Sequence, residues 1–202
     1  MEKKTYVATF TEGLLATKPN DPNIHDTYVG ATEQGVFEDE MSQEEKTLAQ
    51  LDHLEKGKTV FHRDDDGCPI IWNYQVKGFL KEAFKSLGRN KETACSKVKA
   101  FLKVIDGDVF VSPRKIRLEL PEGKELGTCQ RPLRAQTMQG ERVSLACSEE
   151  APAGTKMLFT VTVLVPGLDK ALEECWEYAQ LRFMGAWRNS GKGTAVVEEV
   201  AG

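Results

Sequence analysis

The segment that decides the fold is Met157-Leu158-Phe159-Thr160-Val161-Thr162-Val163-Leu164, whose apolar and β-branched residues predict a strand. A turn at Ala153-Gly154 precedes it, and Asp169 behind it is a candidate N-cap for a helix that ends at Gly185. The apolar face of this helix is formed by Leu172, Cys175, Trp176, Ala179 and Phe183. Residues 194–198 then predict a last strand, so the final part of the chain is expected to be strand, helix, strand.

The first part of the chain predicts a similar series of elements. Residues 5–10 are β-branched and aromatic and predict a first strand. Two short extended pieces within 60–72 flank an Asp-Gly turn and predict a hairpin. A helix ending at Gly88 follows, because its apolar residues recur at helical spacing. These residues are Val76, Phe79, Leu80, Ala83, Phe84 and Leu87.

The middle of the chain is less regular. Residues 89–99 are predicted to be a basic, mobile linker, and 101–120 to be strands with an edge or a bend at Pro113. Residues 121–142 are rich in Gly, Pro, Thr and Gln and predict a long functional loop. An acidic stretch at 17–57 combines loop residues with a helix that begins at a Ser-x-x-Glu cap.

The fold class expected from this order is α+β. We predict a ferredoxin-like (RRM-like) βαββαβ antiparallel sheet with two core helices and an inserted helical segment. The chain is expected to be a single domain over residues 1–202, with the acidic loop-helix insertion at about 17–57.

Composition and charge favour a soluble, cytoplasmic protein. The 202 residues include no apolar run that approaches the ~20 residues of a membrane span, and the N-terminus does not resemble a secretion signal. The five cysteines are scattered, which predicts reduced thiols rather than a zinc or redox site. Residues 1–57 carry five basic and twelve acidic side chains, whereas 68–142 carry fifteen basic and eight acidic ones. The basic middle region suits a phosphate-bearing ligand, or is simply an unevenly charged surface.

A glycine-rich loop at 185–193 is the first candidate ligand site. Gly185, Gly191 and Gly193 allow a close backbone approach to phosphate. Trp187, Arg188 and Lys192 supply an aromatic ring and two cations. The alternative interpretation is a tight helix-to-strand turn.

Three arginines form the second candidate. Arg131, Arg134 and Arg142 lie among amide side chains and provide planar donors for phosphate, or contacts between subunits. Lys77 is a further candidate contact, although it and its neighbours Lys81 and Lys85 also fit a solvated helix face.

Catalysis is the weaker hypothesis. Asp64 and Asp66 could contribute to a metal site, and His62 could act as a general acid or base, but a hairpin tip explains these residues without chemistry. We expect no catalytic residue, no resident metal and no cofactor. Trp72, Tyr74 and Trp187 are candidates for stacking on bases.

Three motifs, in order along the chain, resemble the RAMP superfamily, which forms the backbone and RNA-processing subunits of CRISPR effector complexes. They are the strand-to-helix segment 67–78 with its Lys77-Gly78 pair, the Pro-x-Gly-Thr turn within 149–155, and the glycine-rich loop 184–193. The segments 131–135 and 139–142 are also similar to uncharacterised phage and prophage proteins of similar length.

The resemblance implies a non-catalytic protein that binds RNA or a small nucleotide, cyclic ones included, in the cytoplasm of a bacterial host. It further implies a phage accessory or anti-defence role, either by sequestering a signal nucleotide or by mimicking a CRISPR subunit. Homo-oligomers and a host defence complex are the implied protein partners, and a membrane is not. A metal-dependent ribonuclease or phosphodiesterase and a structural oligomeric subunit are the alternatives.

Overall fold

The structure, a computed structural model, describes residues 1–20, 58–137 and 140–200, with side chains described outside 133–145. The strands are β1 (Glu2–Phe10), β2 (Leu14–Leu15), β3 (Lys18–Pro19), β4 (Thr59–Val60), β5 (His62–Arg63), β6 (Pro69–Trp72), β7 (Val109–Ser112), β8 (Lys115–Glu119), β9 (Gly127–Thr137), β10 (Gly140–Ala151), β11 (Lys156–Val163) and β12 (Ala195–Val200). The helices are α1 (Asn73–Leu87), α2 (Ala94–Lys97), α3 (Phe101–Asp108) and α4 (Asp169–Ala179), and a 3-10 turn lies at Arg188–Ser190.

The chain divides into two compact units. Unit 1 contains Met1–Leu15, Phe61–Leu126 and Ala151–Gly202, and unit 2 contains Ala16–Val60 and Gly127–Glu150. The predicted acidic insertion lies mostly outside the described residues, because 21–57 are not described. The single-domain organisation stays a prediction. None of the helices in the described ranges is long and apolar enough to cross a bilayer.

Unit 1 is built on an antiparallel sheet. Its strand order is β12-β1-β11-β8-β6-β5, and β7 also pairs with β11. Thr5 on the central strand β1 lies opposite Thr160 of β11 on one side and Val200 of β12 on the other. The α+β class predicted from the sequence is confirmed. The strand content is larger than that of a four-stranded βαββαβ plan, because β5, β6 and β8 extend the sheet.

The core of unit 1 joins the sheet to α1 and α4. Phe79 of α1 stacks on Trp176 of α4 with ring centroids 5.9 Å apart, and it meets Phe183 edge-on at 4.6 Å. Tyr6 and Phe159 of the sheet also contact Trp176. Burial of each large apolar side chain contributes about 1.5–3 kcal/mol, so this aromatic cluster is a major part of the core.

Several predicted elements are confirmed, although some of their ends differ from the prediction. Helix α1 stops at Leu87, with Gly88 as its C-cap. The Asp-Gly hairpin is present as β5 paired with β6. Helix α4 begins at Asp169, so this residue is the first helical residue and Leu168 is the N-cap. The same helix ends at Ala179, well before the predicted stop at Gly185.

The region 89–120 was predicted wrongly in part. The predicted linker contains the short helix α2, which Thr93 caps by accepting a hydrogen bond from Ser96 N–H at 3.2 Å. Residues 101–108 form helix α3 instead of a strand. Phe101, Val104 and Ile105 share one helical face, and this spacing of three and four residues was the signal for a helix.

Unit 2 contains a long hairpin where a loop was predicted. Strands β9 and β10 pair antiparallel from Gly127 opposite Glu150 to Thr137 opposite Gly140. The predicted loop at 121–142 is therefore wrong over most of its length. Strand β10 also pairs with β4, through Ser148 opposite Thr59, so the hairpin is part of a larger sheet. In the described part of β9 only Cys129 and Arg131 are half-buried, so the strand lacks the apolar alternation that identifies a core strand.

Candidate ligand-binding residues

The glycine-rich loop 185–193 connects α4 to β12 within unit 1. Gly185, Gly191 and Gly193 have φ values of +85°, +83° and +68°, a region in which glycine is favoured. A Cβ atom on Gly193 would lie 1.9 Å from the Met184 carbonyl oxygen, and one on Gly185 would lie 2.7 Å from the Leu15 oxygen. Two of the three glycines are thus required by close backbone packing, as in the tight-turn interpretation. At Gly191 a Cβ would meet no described atom within 4 Å.

Backbone hydrogen bonds hold this loop to the segment after β1. The Gly193 N–H donates to the Gly13 oxygen at 3.0 Å, and the Ala186 N–H donates to the Leu15 oxygen at 3.2 Å. Met184 N–H donates to the Gly193 oxygen at 3.1 Å and closes the loop on itself. The loop is therefore a preorganised turn with its backbone fixed at both ends.

The cations of the loop are partly neutralised. Arg188 Nη1 donates to Glu82 Oε2 at 2.5 Å, while Arg182 Nε lies 2.7 Å from Glu82 Oε1. One carboxylate of α1 thus bridges two guanidinium groups, and these three side chains together carry a charge of +1. Lys192 of the same loop is half-buried. Trp187 is 41% exposed. Glu82 was missed by sequence reasoning, because its partners lie about a hundred residues away in the chain.

The three candidate arginines all lie on the β9–β10 hairpin of unit 2. Arg131 is half-buried on β9 and lies opposite Ala146 of β10. Arg134 of β9 pairs with Val143, and Arg142 of β10 pairs with Ala135. The hairpin register thus brings all three to one ribbon, although Arg134 and Arg142 are described for their backbone alone. That these arginines and the glycine loop form one site stays a prediction.

Lys77 lies on α1 and contacts the neighbouring helix. Its Nζ donates to the Asp106 carbonyl oxygen at 3.1 Å and lies 5.3 Å from the centroid of the Phe110 ring. Lys81, one turn later, is 2.5 Å from the Asp106 carboxylate. These contacts give both lysines a structural role at the α1–α3 contact, whereas Lys85 is exposed.

The carboxylates of the β5–β6 turn are held by two cations of β8. Asp64 lies 2.5 Å from Arg117 Nε, Asp66 contacts the same guanidinium, and Asp65 receives Lys115 Nζ at 3.0 Å. Desolvation acts to raise the pKa of Asp64, but the Cys68 N–H and the guanidinium outweigh it and hold that pKa below its usual range. In the ranges that the structure describes, no group of three or more candidate ligands could hold a metal ion.

His62, the other weak catalytic candidate, lies on β5 in the same hairpin. Its ring meets Trp72 edge-on, with centroids 5.6 Å apart. This contact gives the imidazole a packing role beside the turn. Arg114, which sequence reasoning missed, lies on the same indole with its guanidinium 5.7 Å from the ring centroid.

No protein-family model matches this sequence, and no curated protein matches it. Among solved structures, the chain is similar to a chain of the Type III-B Cmr-beta complex bound to cognate target RNA, with 10% identity and a TM-score of 0.51. The match covers 99% of this chain and 60% of that one. It is also similar to a chain of a Type IV-B CRISPR complex, with 12% identity and a TM-score of 0.51, over 99% of this chain and 91% of that one. These likenesses show that the chain shares its fold with chains of CRISPR complexes. Membership of the RAMP superfamily stays a prediction.

Proposed function

We propose that this chain is a non-catalytic RNA-binding protein. The observation that carries the proposal is the fold, which 99% of the chain shares with a chain from a complex bound to target RNA. The present chain spans about 60% of the length of that matched chain. Binding without chemistry fits the ion pairs that occupy Asp64, Asp65 and Asp66.

We further infer a ferredoxin-like βαββαβ plan for the centre of the sheet in unit 1. Strands β12, β1, β11 and β7 are antiparallel neighbours in this order. Helix α1 lies between β1 and β7 in the chain, and α4 lies between β11 and β12. This arrangement of two split strand-helix-strand units is what the plan requires.

The proposed contacts to RNA come from both units. In unit 2 they are the hairpin residues Arg131, Arg134 and Arg142, and in unit 1 they are Lys77 and the loop residues Gly185, Trp187, Arg188, Gly191, Lys192 and Gly193. Guanidinium groups suit phosphate oxygens because they donate two parallel hydrogen bonds. Of the three loop glycines, Gly191 leaves a ligand most room to approach the backbone, since a Cβ there would meet no described atom within 4 Å.

The proposal includes a phage origin and two alternative anti-defence roles, which are sequestering a signal nucleotide and mimicking a CRISPR subunit. A phage origin and an anti-defence role rest on the resemblance of segments 131–135 and 139–142 to phage proteins. Sequestering a signal nucleotide would require a small ligand in place of RNA, and mimicry of a CRISPR subunit would require a protein complex as partner. The alternative of a structural oligomeric subunit would use the same hairpin arginines for contacts between subunits, because arginine is also favoured at protein interfaces.

The first experiment is to purify the protein under native conditions, denature it, and identify released molecules by ultraviolet absorbance and mass spectrometry. Short RNAs at stoichiometric amounts support the proposal. A single bound nucleotide species would replace it with the sequestration hypothesis. A protein that carries nothing and also ignores added RNA contradicts both.

The second experiment titrates nuclease-stripped protein with fluorescent single-stranded RNA at two salt concentrations. Arg131→Ala is expected to weaken binding and to reduce the slope of log K against log salt by about 0.7, the value for one phosphate contact on a single strand. Lys124→Ala, at an exposed turn of unit 1, is the matched control and leaves the slope unchanged. Equal slopes for the two variants would contradict a phosphate contact at Arg131.

A further inference from the structure

A row of stacked side chains lies where β6 passes into α1. The rings of Trp72 and Tyr74 are nearly parallel, at 12°, with centroids 6.3 Å apart. The Arg114 guanidinium lies 5.7 Å from the centroid of the Trp72 ring, and His62 meets the same ring edge-on at 75°. A cation and two aromatic rings are thus grouped around one indole.

This group is held in place by hydrogen bonds that do not depend on a ligand. Asn73 N–H donates to the Arg114 carbonyl oxygen at 3.0 Å, and the Asn73 side chain donates to the Val111 oxygen at 2.9 Å. Trp72 N–H donates to Gln75 Oε1 at 2.9 Å. The turn that carries Arg114 is therefore fixed to the start of α1, so a ligand would not have to order it.

The outer part of the group is open to solvent. Tyr74 is 60% exposed, whereas Trp72 is half-buried and serves as its support. An exposed aromatic ring suits a nucleobase because every base has a π face. Arg114 contacts the Trp72 ring that supports Tyr74, so the same indole also carries a cation for a phosphate. Cationic and polar side chains border the rings, since Lys115 lies opposite Trp72 in the β6–β8 register. This border favours a nucleic acid over an apolar protein surface.

We propose that Tyr74, supported by Trp72, stacks on one unpaired nucleobase of single-stranded RNA, with Arg114 beside the adjoining phosphate. The inference rests on the proposed RNA-binding function and adds a base-stacking subsite to it. Such a site accepts any base, because stacking does not read hydrogen-bonding edges. Lys115 is held by Asp65, whose side chain is 96% exposed, so this ion pair is solvated and a phosphate can replace the carboxylate.

The test compares two fluorescent probes of about 12 nucleotides, one an oligouridine RNA and the other an abasic ribose-phosphate chain of equal length. Loss of one base–aromatic stack weakens binding about five- to 150-fold. Tyr74→Ala is expected to bind the oligouridine more weakly than the wild type by this factor. It should bind the abasic chain with the same affinity as the wild type. Tyr74→Phe keeps the ring and restores oligouridine binding. Leu181→Ala, at a 74% exposed apolar residue after α4, is the control for loss of a surface side chain.

The outcomes separate this inference from the proposed function. If Tyr74→Ala binds the oligouridine as tightly as the wild type does, the stacking subsite is overturned and the RNA-binding function still stands. If the wild type binds neither probe, both the stacking subsite and the proposed RNA-binding function are overturned. If Tyr74→Ala weakens the binding of both probes equally, stacking is also overturned, because an abasic chain has no base ring to stack. Circular dichroism of each variant checks that it is folded.

Discussion

At the scale of single residues, Gly193 has the strictest requirement in the glycine-rich loop. Its φ of +68° is unfavourable for other residues, and a Cβ would lie 1.9 Å from the Met184 oxygen. Gly193→Ala is therefore expected to destabilise the protein by at least about 3 kcal/mol, since the backbone must shift as well as strain. Chemical denaturation measures the change in the free energy of unfolding.

Gly191→Ala is the matched control, because Gly191 has a φ of +83° but a Cβ there would meet no described atom within 4 Å. The substitution at Gly191 meets only the penalty of the left-handed conformation. It is therefore expected to lower the free energy of unfolding by about 1–2 kcal/mol. If the two variants were equally stable, the close approach at Gly193 would not be present in solution.

The cysteines provide a second residue-scale prediction. Cys95, Cys147 and Cys175 are buried, while Cys68 and Cys129 are half-buried, and all five are free thiols. Burial raises the pKa of the Cys175 thiol, and the neighbouring Cys95 sulfur, 3.8 Å away, raises it further. In native protein we expect Cys68 and Cys129 to react first with iodoacetamide, because the thiolate is the reactive form. Peptide mass spectrometry over time gives the order, and early labelling of Cys175 would contradict it.

At the scale of elements, Glu174 joins α4 to α2. Its carboxylate accepts hydrogen bonds from Ala94 N–H at 2.7 Å and Cys95 N–H at 3.0 Å, at the start of α2. Desolvation acts to raise the pKa of Glu174, but these N–H groups outweigh it and the pKa lies below its ordinary value of 4.5. A carboxylate with a lowered folded-state pKa stabilises the fold fully above pH 4.5, and this stabilisation is lost as the pH falls through the folded-state value.

Glu174→Gln is therefore expected to lower the free energy of unfolding by about 1 kcal/mol at neutral pH, because it replaces charge-assisted hydrogen bonds by neutral ones. In acid, as the pH falls through the folded-state pKa of Glu174, the difference from wild type should shrink. Urea denaturation at neutral pH and at a pH below the folded-state pKa of Glu174 measures this difference in the free energy of unfolding. A difference that stays constant over this range would show that the Glu174 charge does not hold α2.

At the scale of the whole molecule, the described residues on either side of 21–57 lie next to each other in unit 2. Asn20 N–H donates to the Lys58 oxygen at 2.9 Å, and β3 pairs with β4 through Lys18 opposite Val60. Thr59 Oγ1 donates to the Ala16 oxygen at 3.0 Å. A short Gly-Ser linker can therefore replace 21–57 without stretching the chain. We expect the shortened protein to keep the far-ultraviolet circular dichroism signal of unit 1.

The same replacement tests the charge argument. Segment 21–57 carries ten acidic and two basic residues, a balance of −8, so the net charge changes from −4 to +4. A phosphate ligand is then attracted more strongly, and RNA affinity at low salt should rise. The gain should disappear at high salt, which fluorescence titration can follow. Loss of RNA binding in a folded protein would instead place RNA contacts within 21–57.

The core elements were predictable from sequence because their apolar residues repeat with the period of the structure they form. Helix α1 and strands β1 and β11 each bury one face, and burial selects apolar residues at spacings of three to four or of two. Helix α3 was missed because 101–108 is short and is followed directly by strand β7, with no turn residue between them. The hairpin β9–β10 was missed because the described side chains of β9 are exposed or half-buried, so this strand shows no apolar alternation.

The sequence by itself determined the α+β class and the order of the main core elements, because these depend on local periodicity and on glycine at turns. Only the tertiary structure decided which charges remain available to a ligand. Arg188 is held by Glu82, a residue 106 positions earlier in the chain. Arg114 meets Trp72 only because β6 and β8 pair in one register. Such contacts join surface side chains that are distant in the chain, and no local pattern of residues specifies them.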